Sequence, residues 1–447
     1  MRRLLLPGCF AVLALSACGG DSNLPTASGK GSIRAINAIK TSPQIAFLIE
    51  ELPLAAVSYK NSTSTERYDD LSYAFNFEVV LPGASTAQRV ATELVDMVAD
   101  RDYIFVINGV LASPTITLWE GDERTWSGTE TVFEARFGHA AESWGDLDVY
   151  FAAPGIAPVL GEQLGTLSFG QILPATDIET GDTVLTMTAA GDPATVHFTS
   201  SALTFEAQNA LVFSLFDADA SETAPISVRV YNALGTASAI PDARFTPTMR
   251  YIHASVALGP VDIYDTEPPV TPVVTDQAFG NDAGDLPIAI GATTLTYTDA
   301  NNISAVVLEV ATAQVAGTRN QMFIVGSDIG SLSTIITIPD RRPVETLVKF
   351  QFINAASNHA SIDVYVIDAD SDIADAFPTQ FAVEFGQSPR ISSLNAGSYD
   401  LYLTLPGEKT VIAGPLRIDA ALGDIIDPVA LDTIDPATAQ ISIVSPP

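Results

Sequence analysis

The sequence predicts an all-β protein, built as four tandem antiparallel β-sandwich domains behind an N-terminal leader. Three observations predict it. Runs of Val, Ile, Thr, Phe and Tyr are punctuated by Gly, Pro, Asp and Asn, the pattern of short strands and turns, while helical periodicity is scarce. The 447 residues exceed one compact core, and 47% apolar against 17% charged residues is the composition of a folded chain. An opening motif recurs four times at the spacing of one domain.

The four copies align without a gap: RAINAIKTSPQIAFL from Arg34, RFGHAAESWGDLDVY from Arg136, RYIHASVALGPVDIY from Arg250 and QFINAASNHASIDVY from Gln351. Their starts lie 102, 114 and 101 residues apart, which suits a seven-strand sandwich per unit. The units are residues 31–127 (divergent), 128–242, 243–342 and 343–447.

Strand side chains alternate faces. In the first strand Ile33, Ala135, Met249 and Phe350 point inward, followed by Ala35, Phe137, Tyr251 and Phe352. Two further on come Asn37, His139, His253 and Asn354, polar residues on an apolar face. A buried amide or imidazole needs hydrogen-bond partners, and the following turn supplies backbone ones. Asn and His exchange freely here as loop-pinning groups; a metal ligand or general base would not survive as Asn in half the units. In the second strand Ile45/Phe47, Leu147/Val149, Val261/Ile263 and Ile362/Val364 are inward pairs. Asp148, Asp262 and Asp363 lie between them and are expected on a solvated outer face.

Three units share a later feature. Phe169-Gly170, Phe279-Gly280 and Phe385-Gly386 each stand 12 residues, counted from the phenylalanine, before Gly181, Gly291 and Gly397, which open alternating strands. By the same spacing the first unit is expected to carry Tyr73-Ala74 and Ser85 instead.

These residues resemble the bacterial domain-of-unknown-function family four-three-nine-seven, with its His-Ala, Val-Asp-Val-Tyr, Phe-Gly and Gly-Thr-Tyr segments. His253-Ala254 with Val261-Asp262-Ile263-Tyr264 carries the resemblance best. Asn354-Ala355 with Ile362-Asp363-Val364-Tyr365, and His139-Ala140 with Leu147-Asp148-Val149-Tyr150, follow it. The resemblance implies an immunoglobulin-like sandwich of the cell envelope, often in tandem, and no activity, ligand or catalytic residue.

The leader has Arg2 and Arg3, then an apolar stretch from Leu4 to Leu15. It ends in Leu15-Ser16-Ala17-Cys18, which resembles the bacterial lipobox. Residues 1–17 read as a lipoprotein signal peptide, Cys18 as the lipidated residue, and 18–30 as a flexible tether. Gly19 stands where Asp would favour the inner membrane, so the resemblance implies lipid anchoring in the outer membrane.

The chain carries 21 basic against 53 acidic residues, net −32, which repels phosphate backbones and disfavours nucleic acid as a partner. Cys9 and Cys18 are the two cysteines, so beyond the leader and anchor there is no thiol chemistry. No HExxH, GxSxG, P-loop or GxGxxG occurs, and no cofactor is implied. His197 is expected to face solvent and His359 to lie in a hairpin loop. Asp368, Asp370 and Asp372, with Asp375, resemble the start of a calcium loop. Ile373 stands where that loop needs glycine and no Glu stands at its twelfth position, so a solvated acidic loop is expected there. Asp217, Asp219 and Glu222 form a similar cluster. Trp119, Trp126 and Trp144 all flank the boundary of the first two units, and are expected to pack that joint. The sequence therefore points to a non-enzymatic envelope lipoprotein whose domains act as spacer and interaction modules, touching the membrane through its lipid alone. The alternatives are an adhesin for carbohydrate or an envelope protein, and a hydrolase with carboxylates between domains.

Overall fold

The computed structural model describes residues 26–443. The leader, Cys18 and the tether up to residue 25 lie outside the described residues. Strands dominate, and the described residues contain no α-helix, only two 3₁₀ turns at Ile329–Ser331 and Ile373–Asp375.

The first sandwich runs through β1 (Lys30–Asn37), β2 (Ile45–Ile49), β3 (Leu52–Val57), β4 (Glu66–Asp69), β5 (Ser72–Val79), β6 (Gln88–Asp96), β7 (Arg101–Val110) and β8 (Ser113–Asp122). Its sheets have the orders β4-β1-β7-β8 and β3-β2-β5-β6. The alternation in β1, β2, β5 and β7 sends Ile33, Phe47, Phe75, Phe77 and Phe105 between the sheets. Phe75 and Phe105 pack with ring centroids 4.4 Å apart, a close aromatic pair.

The same strand order recurs in the other three sandwiches. The second adds an edge strand, Ala237–Ile240. In the fourth the first strand is broken into Val348–Phe350 and Ile353–Asn354, and the seventh into Ile425–Ile426 and Pro428–Asp432. Every inward residue named from the alternation of first and second strands lies in a buried core cluster, apart from the polar position itself.

Two details differ from the expectation. Each unit has eight or more strands rather than seven. The sheets are also not wholly antiparallel, because the first strand pairs in parallel with the seventh in all four units. Parallel neighbours cannot be joined by a hairpin; here the chain makes its excursion through the opposite sheet before returning.

The outward side of the first strand is buried as well. Ile36, Ile104, Val106 and Trp119 of the first sandwich pack against Ala140, Val212, Phe216 and Tyr231 of the second. Ile252, Phe323, Val325 and Ile335 of the third pack against Ile353, Ala355, Val429 and Leu431 of the fourth. The sandwiches thus form two back-to-back pairs through equivalent sheets. The second and third are joined by Thr223 N donating to Gly317 O at 2.8 Å and Arg319 Nε donating to Glu222 O at 3.1 Å. The fourth returns to the first: Glu345 N donates to Thr41 O at 2.9 Å, and Arg342, at the third/fourth boundary, donates to Lys40 O and Ser42 O, each at 2.9 Å. This is a folded-back body and not an extended string.

Candidate functional site

The repeated polar residues are all fully buried. Asn37 Nδ2 donates to Ser42 Oγ at 2.9 Å and Val57 O at 3.2 Å, and its Oδ1 accepts from Ile39 N at 3.0 Å. Asn354 repeats this with Val383 O at 3.0 Å, His359 O at 3.3 Å and Ala356 N at 3.1 Å. His139 Nε2 meets Gly145 O at 3.2 Å while Ala141 N donates to its Nδ1 at 3.2 Å. His253 Nε2 meets Gly259 O at 3.0 Å. Burial holds both imidazoles below the usual histidine range, partly offset by the carbonyl partner. Each is a neutral donor to the turn after its strand.

The Phe-Gly pair closes the same strand from the other side. Gly170, Gly280 and Gly386 donate to the carbonyls of His139, His253 and Asn354 at 2.8, 2.7 and 2.8 Å. All three glycines have φ near +80°, where a side chain is strained. The first sandwich does this with Tyr59-Lys60, not with the expected Tyr73-Ala74. Lys60 N donates to Asn37 O at 2.9 Å, and Lys60 has φ +62°. Twelve residues after Tyr59 the chain reaches Leu71, immediately before β5, so the spacing is kept. The register slipped because β2 and β3 form a tight hairpin, where the other units have long loops.

Asp148, Asp262 and Asp363 are not on a solvated face, although they do point away from the core. They are 1%, 4% and 3% exposed. Asp262 accepts from Asp276 N and Asn301 N, both at 2.8 Å. Asp363 accepts from Ala382 N at 2.6 Å and Gly407 N at 2.8 Å, and Asp148 from Thr166 Oγ1 at 2.5 Å and Gly191 N at 2.7 Å. Each carboxylate clamps the third strand to the turn between the fifth and sixth. Apart from the Thr166 hydroxyl, those donors sit at positions displaced by a bulge or a left-handed turn, which period-two reasoning does not reveal.

The other sequence candidates disperse. Lys60 of the first sandwich reaches Asp219 and Glu222 of the second, each at 2.9 Å, so that acidic cluster is an interdomain ion pair and not a solvated loop. Burial raises the Asp219 carboxyl, but the charge and hydrogen bond of Lys60 outweigh it and hold it low. Asp370 pairs with Arg417 at 2.7 Å and Asp372 accepts from Ala374 N at 2.8 Å; Asp368 is exposed. No group of three or more His, Cys, Asp and Glu among the described residues is placed to hold a metal ion. His197 is half-buried against Trp144, ring centroids 5.1 Å apart, rather than in solvent. His359 is buried in its loop with Nε2 3.2 Å from Thr438 O. Of the tryptophans, Trp119 fills the joint, Trp144 packs on the second core, and Trp126 lies under Arg124 at 4.4 Å.

Sequence reasoning missed a charged cleft beside the first joint, about 290 Å³, continuing into a neighbouring hollow of about 540 Å³. Arg34 and Arg136, the first residues of their motifs, converge on Asp102 at 3.5 and 3.2 Å. Arg34 also donates to Asn232 O of the second sandwich at 3.1 Å, and Arg136 to Glu120 O of the first at 2.6 Å. Glu134 has Arg124 at 3.9 Å as its nearest cation, and burial raises its carboxyl above the usual range despite that charge. Arg67 and Arg124 complete four guanidinium groups lining the cleft, opposed by Asp102, Asp122, Glu123 and Glu134. The only signal in the sequence was the recurring motif arginine, whose partner surface alternation cannot name.

No family model matches the chain, and no curated protein matches it. Among solved structures it is similar to family 41 carbohydrate-binding modules from streptococcal virulence factors, described for alpha-glucan recognition, at 12% identity and a TM-score of 0.17 over 44% of this chain and 96% of that one. It is also similar to the Bacillus anthracis TIE protein at 9% identity and a TM-score of 0.16, over 93% of this chain and 69% of that one. Neither likeness carries weight for function.

Proposed function

We propose that the chain is a non-enzymatic envelope lipoprotein, held in the outer membrane by lipid on Cys18, whose four sandwiches form one binding body. The observation that carries this reading is the commitment of the repeated polar residues. Asn37, His139, His253, Asn354 and the three aspartate clamps are committed to pinning turns and neighbouring strands, so these recurring polar positions are explained by structure. The folded-back arrangement favours interaction over spacing. The resemblance to family four-three-nine-seven agrees with an envelope setting. Labelling with a palmitate analogue, followed by membrane fractionation, tests the anchor: Cys18→Ala should abolish the label and release the protein, and retained label would sink it.

One observation favours the hydrolase reading, the raised Glu134 carboxyl beside other acids in the cleft. Against it, Asp102 is immobilised by two arginines. Turnover of chromogenic glycosides or esters that disappeared in Glu134→Gln would replace the binding reading.

A further inference from the structure

We propose that the cleft between the first and second sandwiches binds a neutral polyhydroxylated ligand, one or two sugar units in size. This rests on the reading of the chain as a binding protein and gives that reading a site. The volume of about 290 Å³ is at the lower end of ordinary small-molecule sites, ~300–1,000 Å³, and the adjoining hollow shares Arg124, Glu134 and Arg136.

Charge selects the ligand class. In a chain of net −32, the cleft sets four guanidinium groups against four carboxylates. A balanced wall gives neither an anion nor a cation a net attraction. The arginines that would grip a phosphate are already engaged: Arg34 and Arg136 by Asp102 and backbone carbonyls, Arg67 by Glu123 at 2.8 Å and Arg124 by Asp177 at 3.0 Å. A divalent cation would face those same arginines, and no trio of carboxylates is placed for it among the described residues. Closely interleaved donors and acceptors instead match hydroxyl groups, each of which both donates and accepts.

The internal pairing of the wall is also incomplete. Arg34 Nε, Thr65 Oγ1 and Glu123 Oε1 are buried without a partner. Glu134, at 3.9 Å from Arg124, makes no direct hydrogen bond to it. Buried polar groups are ordinarily satisfied, and these three belong to residues of one cavity wall, where a small side-chain adjustment would let a polar occupant complete the network. Arg124, which lines both hollows, is held over the Trp126 ring at 4.4 Å, so its guanidinium is positioned at the polar wall.

Calorimetric titration of the full chain in detergent tests this, using glucose, galactose, N-acetylglucosamine, maltose and cellobiose, with glutamate and inorganic phosphate as charged probes. At least one saccharide should saturate the protein, and binding should weaken about 10-fold or more in Glu134→Gln and in Arg124→Ala. Arg124 is partly exposed, so its variant keeps the test valid should Glu134→Gln disturb folding, which a thermal melt reports. The proposal is overturned if no saccharide saturates by about 10 mM, if both variants bind unchanged, or if phosphate or glutamate binds more tightly. Loss of the Cys18 label and absence of sugar binding are separate results, so the anchor and the site fail independently.

Discussion

The indole of Trp119 lies across Gly138 of the next sandwich, in the space where any side chain would project. Trp119 is fully buried and its Nε1 donates to Gly170 O at 2.9 Å. At this register the other motifs carry Ile36, Ile252 and Ile353, each packed in an interdomain joint. The glycine is therefore a receptor for one ring. Gly138→Ala should force the ring out and cost about 1–3 kcal/mol. Trp119→Ala should cost about 3–5 kcal/mol by leaving the hole empty. Urea denaturation, with limited proteolysis at the joint, measures both; an unperturbed joint in Gly138→Ala would show that the contact is not required.

The core was legible because alternation separates the inside of one sandwich from its outside. It placed Ile33, Phe137, Tyr251 and Phe352 correctly, and put Asn37 and its counterparts inward. It could not say that the outside of the first strand meets another domain, so Arg34 and Ile36 carried no visible role. Tyr59-Lys60 escaped because a lysine holds the left-handed position that glycine holds in three other units. The aspartates were misplaced for a related reason: their partners are mostly backbone amides of bulged strands and turns, which no side-chain pattern encodes.

The aspartate clamps should appear in amide exchange. Asp363→Ala removes the acceptor of Ala382 N and Gly407 N, 2.6 and 2.8 Å away. Both donors sit on exposed residues that water can reach once the carboxylate is gone, so each lost hydrogen bond costs only about 0.5–1.5 kcal/mol. Peptides spanning residues 376–386 and 402–410 should exchange faster together, while the first sandwich is unchanged. Protection that stays at the wild-type level in both segments would rule the clamp out.

The polar position in the first strand gives a graded series. Asn354→Ala should lower stability by about 1–3 kcal/mol, since Val383 O and Ala356 N lose a buried partner. His253→Asn should be milder than His253→Ala, because an amide can reach the turn as Asn354 does. Denaturation of the third and fourth sandwiches carrying each change would read the order. Equal stability of both His253 variants, with loss of binding to a ligand, would make the position functional instead.

Asp427 supplies a pH dependence of definite sign. It is buried between the two halves of the broken seventh strand in the fourth sandwich, and Gln351 Nε2 donates to its Oδ1 at 2.9 Å. Burial pushes its carboxyl up to about 6, against the pull of Arg341 and the Gln351 hydrogen bond. A folded-state value above the unfolded one, near 3.8, means that the folded protein holds the proton more tightly. The stabilising contribution is complete below the unfolded value and is lost as pH rises through about 6. Asp427→Asn keeps the shape and an acceptor for Gln351 but has no charge to desolvate. It should match wild type near pH 4 and become more stable by on the order of 1–3 kcal/mol above pH 7. Denaturant midpoints of both proteins across that range provide the test. A variant no more stable than wild type at pH 7.5 would mean that Arg341 and its neighbours fully compensate the buried carboxylate.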